Sequence, residues 1–398
     1  MEVPHMPETT MTKLSAVAHL SPWRRLPLKA WNYALNAAER KLGWDSLWSR
    51  PIGADIVTTK RCNLGCVMCI KYPPYGGLDM PMETFELIGR TLFKRLLYVR
   101  FCSGGEHLLH PHFGDMLDRC REHGCLVTMM TNGMLLDESW AERIVRRSSV
   151  WSIGISFDSP TEGTLESIRR GARFQTVLQN VRCLLETRRR CARAFPLVSF
   201  RSTLMRRNVA DLPQMVRFAK ELGVDALHAG YLITPPHLDP QESLWHHPEL
   251  AARLFAEARG VADDLGLELH LPPSLESANG RIGESANKRI SESDADVPVT
   301  RHPSPVTPSP IRCVLPWTQV YIDPNGDVRL CCNAWDAEGV MGNLVRDGFK
   351  AVWNGERYRG VRRSLAAGFP SYARCWHCPA LGLDVHSKAT HFYDLPAL

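Results

Sequence analysis

From residue 50 to about residue 235 the chain alternates short apolar runs with longer amphipathic ones, and this alternation restricts its fold most strongly. Strand candidates are Ala54 to Thr59, Tyr98 to Cys102, Leu126 to Met130, Trp151 to Phe157, Val198 to Leu204 and Ala226 to Leu232. Helical segments fall between them, near Met82 to Leu96, Phe113 to His123, Glu138 to Arg147, Phe174 to Arg188 and Asp211 to Leu222. A repeated β/α order favours a parallel sheet, with a ligand at the C-terminal ends of its strands.

The loop after the first strand candidate reads Thr-Lys-Arg-Cys-Asn-Leu-Gly-Cys-Val-Met-Cys and carries Cys62, Cys66 and Cys69. C-x3-C-x2-C gathers three thiolates around one metal centre and supplies no fourth. A structural zinc takes four protein ligands and is closed, whereas a [4Fe-4S] cubane held by three cysteines keeps one iron open to an outside chelator. A zinc loop with a distant fourth ligand is the plain alternative, although the spacing is unlike the usual C-x2-C pairs.

With its leading strand, this loop resembles the cysteine loop of the radical S-adenosylmethionine (radical SAM) superfamily. The resemblance implies an α/β fold, a partial (β/α)6 barrel, in which the open iron chelates the amine and carboxylate of SAM. Reductive cleavage then gives methionine and a 5′-deoxyadenosyl radical that abstracts hydrogen from substrate. Ser103-Gly104-Gly105-Glu106, at the end of the second strand candidate, resembles the family segment that holds the SAM amine. Glycines let backbone approach a ligand closely, and a carboxylate accepts hydrogen bonds from an ammonium. Two positions depart from the family pattern: His107 stands where Pro usually follows, and Met68 replaces an aromatic before the third cysteine. Asn132, within Thr131-Asn132-Gly133, is either a turn residue or part of the SAM pocket. Ser156 and Asp158, ending the fourth strand, and Arg201 on the fifth resemble positions that contact the SAM carboxylate and ribose.

Farther along, Cys313, Cys331, Cys375 and Cys378 supply four more thiolates. Tyr321 to Val328 reads as a β-hairpin with an Asn325-Gly326 turn. This region, with Met341-Gly342-Asn343-Leu344 and a helix around Trp353 and Tyr358, resembles the C-terminal SPASM/Twitch extension of radical SAM enzymes. A small α+β domain with an auxiliary [4Fe-4S] cluster is implied. No cysteine follows Cys378, so the shorter single-cluster Twitch form fits better. A closed zinc site uses the same four ligands, and Cys332 competes with Cys331 for one position.

The expected organisation is an N-terminal helical extension over residues 1–49, a barrel over 50–271, a polar, Pro-rich linker over 272–310 and the cluster domain over 311–398. The barrel span includes a further helix, Pro248 to Leu265, and a short strand. Trp23 to Trp48 is amphipathic, with Leu28, Trp31, Leu35 and Leu42 near helical spacing. Packing of this stripe against the barrel is expected, with a membrane surface as the alternative. Net charge is +6 with arginine runs scattered along the chain; solvated helix faces explain these without nucleic acid. Thirteen cysteines in clustered spacings do not form a disulfide framework and imply a reducing compartment. No apolar run reaches membrane-span length and no signal segment is evident, which places the protein in the cytoplasm.

The resemblance extends to a Twitch dehydrogenase and to epimerases of sugar and aminocyclitol antibiotic biosynthesis. It implies a sugar or cyclitol substrate, an electron donor such as ferredoxin or flavodoxin, and either dehydrogenation or epimerisation. Epimerisation needs a thiol to return hydrogen; Cys332 and Cys102 are the catalytic candidates, while Cys120, Cys125, Cys183 and Cys191 read as packing residues. The alternative substrate is a ribosomally made precursor peptide, as in SPASM maturases. The short stretch before the cysteine loop, lacking a winged-helix pattern, favours the small molecule.

Overall fold

A computed structural model describes residues 26–69, 77–272, 313–334, 336–373 and 375. At its centre is one sheet of ten strands: β1 (Gly53–Ile56), β2 (Tyr98–Phe101), β3 (Leu126–Thr131), β4 (Val150–Ser156), β5 (Leu197–Leu204), β6 (Ala226–Tyr231), β7 (Glu268–His270), β8 (Gln319–Ile322), β9 (Asp327–Arg329) and β10 (Val340–Asn343). In space they run β10-β9-β8-β1-β2-β3-β4-β5-β6-β7. The first seven lie parallel in chain order, β8 adds parallel to the far edge of β1, and β9 and β10 return antiparallel.

Five of the six expected strands agree with the structure to within one residue at each end. β1 stops three residues early because Thr58 and Thr59 leave the ladder for the returning segment: Met80 N donates to Thr58 O and Lys60 N to Leu78 O. The expected helix at Met82 is α-helical through Ile88 and then widens into a π turn over Gly89–Phe93. That turn seats Phe93 edge-on to Phe85, with 5.6 Å between centroids.

Strand periodicity divides the sheet into two faces. Ile153 and Ile155 of β4 and Phe200 of β5 point to the helical layer. There Phe157 stacks on Phe200 and Phe218, 4.6 and 5.8 Å apart, under the helix Leu212–Leu222. The opposite face is polar. Arg100 on β2 grips Asp55 on β1 through two nitrogens, and its Nη2 also donates to Gln319 on β8 at 2.7 Å. Cys102, just past β2, feels the charge of Arg201 on β5. In a flat sheet those strands would lie about 14 Å apart, so the sheet curls around this polar face as a partial barrel.

The C-terminal strands are built on the barrel edge. A turn over Asp323–Gly326, closed by Gly326 N on Asp323 O at 2.9 Å, joins β8 to β9. Pro324 presets the entry and Gly326 takes φ +83°, which glycine adopts without strain. Beneath this meander Arg362 is fully buried, its guanidinium 4.3 Å from the Trp353 ring and 5.0 Å from that of Tyr358. The carbonyls of Pro316, Asp45 and Trp353 accept its hydrogen bonds. Apart from Pro272, the expected linker lies outside the described residues, as does Cys378.

The N-terminal helix, Leu26–Lys41, is inverted relative to expectation. Most of its apolar stripe does not pack on the barrel: Leu28, Trp31 and Leu42 are exposed, and only Leu35 is half-buried. The buried face is polar, comprising Lys29, Asn32, Asn36 and Glu39. Lys29 Nζ donates to the carbonyls of Leu96 and Gly124, and Asn32 pairs with both backbone groups of Arg50. Asn36 donates to Ser49 Oγ and Trp317 O, while Glu39 accepts from Trp48 N and Ser49. The barrel surface here consists of loop ends with unpaired backbone groups, and satisfying these outweighs burying the stripe. Asn36→Ala therefore lowers unfolding stability by about 2 kcal/mol, whereas Leu28→Ala on the opposite face changes it by less than about 0.5 kcal/mol. Denaturant titration of the two variants measures the difference.

Candidate active site

The cysteine loop leaves β1 and is held on three sides. Gly65 N donates to Arg170 O and Val67 N to Ile168 O, both at 2.9 Å, which attaches the loop to the end of the helix Glu162–Ile168. Leu64 and Val67 anchor it in apolar surroundings. Arg61 binds Asp79 through two nitrogens, at 2.9 and 2.7 Å, and reaches Leu109 O at 2.7 Å. The cysteines are left facing a cavity.

The Gly-Gly-Glu turn meets this loop from β2. Gly105 N donates to Thr59 O at 2.8 Å and Glu106 N to Arg61 O at 2.7 Å. A Cβ on Gly105 would lie 1.8 Å from the Arg61 carbonyl oxygen. Gly104 takes φ +102°, and a Cβ there would strike Val57 at 2.4 Å. Both glycines are thus fixed by loop-to-loop packing. Glu106 is 3% exposed; one oxygen accepts from Thr131 Oγ1 at 2.8 Å and Leu108 N at 3.3 Å, the other from Asn132 N at 2.8 Å. A carboxylate offers about four acceptor positions, so one is left for a further donor. Burial raises the Glu106 carboxyl above its usual range, opposed by the hydrogen bonds from Asn132, Thr131 and Leu108. His107, in place of the family proline, packs on Phe113 and Phe101, with Nδ1 2.7 Å from Thr58 Oγ1.

One cavity joins these parts. Cys62, Cys66, Cys69, Cys102, Gly104, Gly105, Glu106, Asn132, Ser156 and Arg169 all line it. Asn132 Nδ2 donates to Asn63 Oδ1 at 2.8 Å and lies 4.0 Å from Cys62 Sγ. Burial pushes the Cys66 thiol up to about 11, while the Arg169 guanidinium, 3.9 Å from its sulfur, pulls down. Arg169 is itself held by Asp158, at 2.7 Å in a pair almost shut from water. Asp158 was readable from the end of β4, but Arg169 was not. It lies eleven residues on, after a helix, and only Gly171 two residues later, at φ +91°, marks the turn.

Ser103 and Arg201 border that cavity without lining it, next to Cys102, Gly104 and Ser156, which do. Ser103 hydrogen-bonds the Tyr321 hydroxyl on β8. Arg201 lies across Gly154, whose missing Cβ would sit 2.9 Å from its side chain, and neighbours His228 in register on β6. The two candidate thiols come together: Cys332 is near enough to Cys102 and Tyr321 to perturb both electrostatically. Cys331 instead neighbours Tyr358, packs against the hydrophobic core and is half-buried, as is Cys313; Cys375 is buried. Cys120 and Cys125 are buried packing residues, whereas Cys183 and Cys191 are half-buried.

The Radical SAM superfamily model matches residues 56–228, and the SPASM iron-sulfur cluster-binding domain model matches residues 313–379. The chain carries a radical SAM domain joined to a SPASM domain. It is similar to the antilisterial bacteriocin subtilosin biosynthesis protein AlbA of Bacillus subtilis, 20% identical over 83% of this chain and 66% of AlbA. The chain therefore spans just under two thirds of that relative. Mycofactocin maturase MftC of Mycobacterium tuberculosis is 26% identical over 78% of this chain and 72% of its own length. Streptococcus suis SuiB bound to S-adenosylmethionine shares the fold, with TM-score 0.61 and 17% identity over 94% of this chain and 81% of SuiB. Proteins named for haem synthesis match only 41–50% of the chain.

These domains imply a SAM-binding [4Fe-4S] cluster, auxiliary iron-sulfur ligation and SAM. The residues fit the first cluster: the thiols of Cys62, Cys66 and Cys69 line one cavity together with Gly105 and Glu106. Cys62, Cys66 and Cys69 would hold it, and when bound it supplies the electron that breaks the SAM sulfonium bond. The protein keeps Gly105 backbone, Glu106 and Asn132 beside it. Gly105→Ala is expected to abolish SAM binding in equilibrium dialysis of the reconstituted protein, since the Cys loop must move to admit the methyl. In metal-free protein, burial pushes the Cys102 thiol up to about 12, so it remains neutral and unreactive at pH 8. Mass spectrometry after brief alkylation should find exposed Cys332 modified well before Cys102. No helix among the described residues is long and apolar enough to cross a membrane.

Proposed function

We propose that this protein is a radical SAM enzyme that modifies a ribosomally made precursor peptide. The carrying observation is the extent of similarity: AlbA and MftC, named for bacteriocin biosynthesis and maturation, match over 83% and 78% of this chain, more than the barrel span by itself supplies. Haem-named relatives match about half the chain or less. The expectation of a sugar or cyclitol substrate rested on cysteine spacing and a short N-terminal stretch, and neither finds support among these relatives. The peptide alternative replaces it.

In this reading Cys62, Cys66 and Cys69 hold the SAM cluster, with Gly104, Gly105, Glu106, Asn132 and Ser156 around SAM. Cys313, Cys331, Cys375 and Cys378 ligate an auxiliary cluster. Assigning Cys331 rather than Cys332 rests on its packing against the C-terminal core, while Cys332 neighbours Cys102 and Tyr321. Arg201 is assigned to substrate rather than to the SAM carboxylate, since it lies on the polar face of the sheet beside His228 with its charge felt at Cys102. A small electron-transfer protein such as a ferredoxin or flavodoxin supplies the reducing electron.

Anaerobic 5′-deoxyadenosine formation by reconstituted protein tests this. Candidate precursor peptides should raise turnover at least several-fold over the substrate-free rate, with a Cys62→Ala, Cys66→Ala, Cys69→Ala variant silent. Stimulation by sugars or tetrapyrroles with none by peptides would overturn the substrate class.

A further inference from the structure

Half of the ten exposed large hydrophobic residues in the described structure fall within twenty-one residues: Leu28, Trp31, Leu42, Trp44 and Trp48. Trp31 is 67% exposed and Trp48 85%. They belong to the N-terminal helix and the turn after it, remote from the cysteine cavity. Between Pro27 and Leu42 the exposed positions are Pro27, Leu28, Ala30, Trp31, Ala34, Ala38, Arg40 and Lys41 on the helix and Leu42 just after it. The helix cannot hide this face by rolling, because Lys29, Asn32, Asn36 and Glu39 pin the opposite one.

Charge around the stripe is on balance positive, because exposed Glu122 and Glu356 nearby are held by Arg119 and Arg363. Arg40 and Lys41 are exposed at its C-terminal end. Exposed Lys94 lies two residues from Leu96, whose carbonyl holds Lys29 near the N-terminal end. The helix's one acid, Glu39, is buried, and Asp45 in the following turn is held by Arg359 and Arg363 at 3.2 and 2.8 Å. Apolar side chains with tryptophans between cations suit a surface offering negative charge above an apolar interior. A second copy of the chain would bring the same cations against one another.

We propose that this face docks the protein onto an anionic lipid surface, the Trp and Leu side chains entering the headgroup boundary while Arg40, Lys41 and Lys94 meet lipid phosphates. The active-site cavity takes no part, so the proposal stands or falls apart from the peptide assignment.

Co-sedimentation with phosphatidylcholine vesicles, and with equimolar phosphatidylcholine and phosphatidylglycerol, tests it on the full chain. Partition into the anionic vesicles should exceed that into the neutral ones by about tenfold or more, and fall with added salt. A Leu28→Ser, Trp31→Ser, Trp48→Ser variant should lose about tenfold of that binding with an unchanged unfolding midpoint. Should that variant misfold, Arg40→Glu, Lys41→Glu serves the same purpose with the apolar face intact. Absence of vesicle binding, or equal binding by folded variants, would overturn the proposal. So would a dimer in light scattering that the triple variant converts to monomer, which would assign the face to a second copy.

Discussion

Gly105 approaches the Arg61 carbonyl so closely that no side chain fits between them, and this backbone contact sets the distance between the loops that follow β1 and β2. One loop carries the three cysteines; the other carries Glu106. Two short hydrogen bonds join them, and Glu106 then accepts from Thr131 and Asn132 to draw in the loop after β3. Three consecutive strand ends are thereby tied into one rim by backbone amides and a single buried carboxylate. Backbone contacts are shorter and stiffer than those between long side chains, so the thiols and the candidate SAM-binding groups keep a common frame.

Much of this was legible in the sequence. Five strands are legible to within a residue because each is a short apolar run between amphipathic ones, and the helix expected near Glu138 to Arg147 spans those residues, with Asp137 capping it through Trp140 N. The cysteine loop and Gly104-Gly105-Glu106 were visible as motifs. What was not legible depended on distant partners. Arg169 has no spacing rule to the residues it serves, since it reaches Cys66 across 103 positions of chain. The N-terminal helix defeated periodicity altogether. Its Leu28, Trp31 and Leu42 stripe has the pattern of a buried face, yet the neighbouring surface presents the carbonyls of Leu96, Gly124 and Trp317, which demand donors.

Adjacent residues in the C-terminal unit illustrate a related limit. Cys331 and Cys332 are equivalent on paper, and spacing alone left both open as ligands. Once β9 ends, successive side chains part company: Cys331 goes toward Tyr358 and the core, and Cys332 toward Tyr321 and Cys102. The distinction needs the three-dimensional course of a loop, because a one-residue change in where regular pairing stops would exchange the two.

The parallel pairing of β8 with β1 has a consequence for how the molecule is made. Gly53 is joined to Gln319, and Ile56 to Ile322, across more than 260 residues of chain. While a ribosome is still synthesising the intervening segment, β1 can pair with β2 but its other edge lacks a partner. Contacts of such sequence separation form late and slowly, and an open edge beside three uncapped thiols is a place for wrong associations in the meantime. The first of the described strands is therefore among the last to be completed, its outer edge closing only when the C-terminal unit arrives.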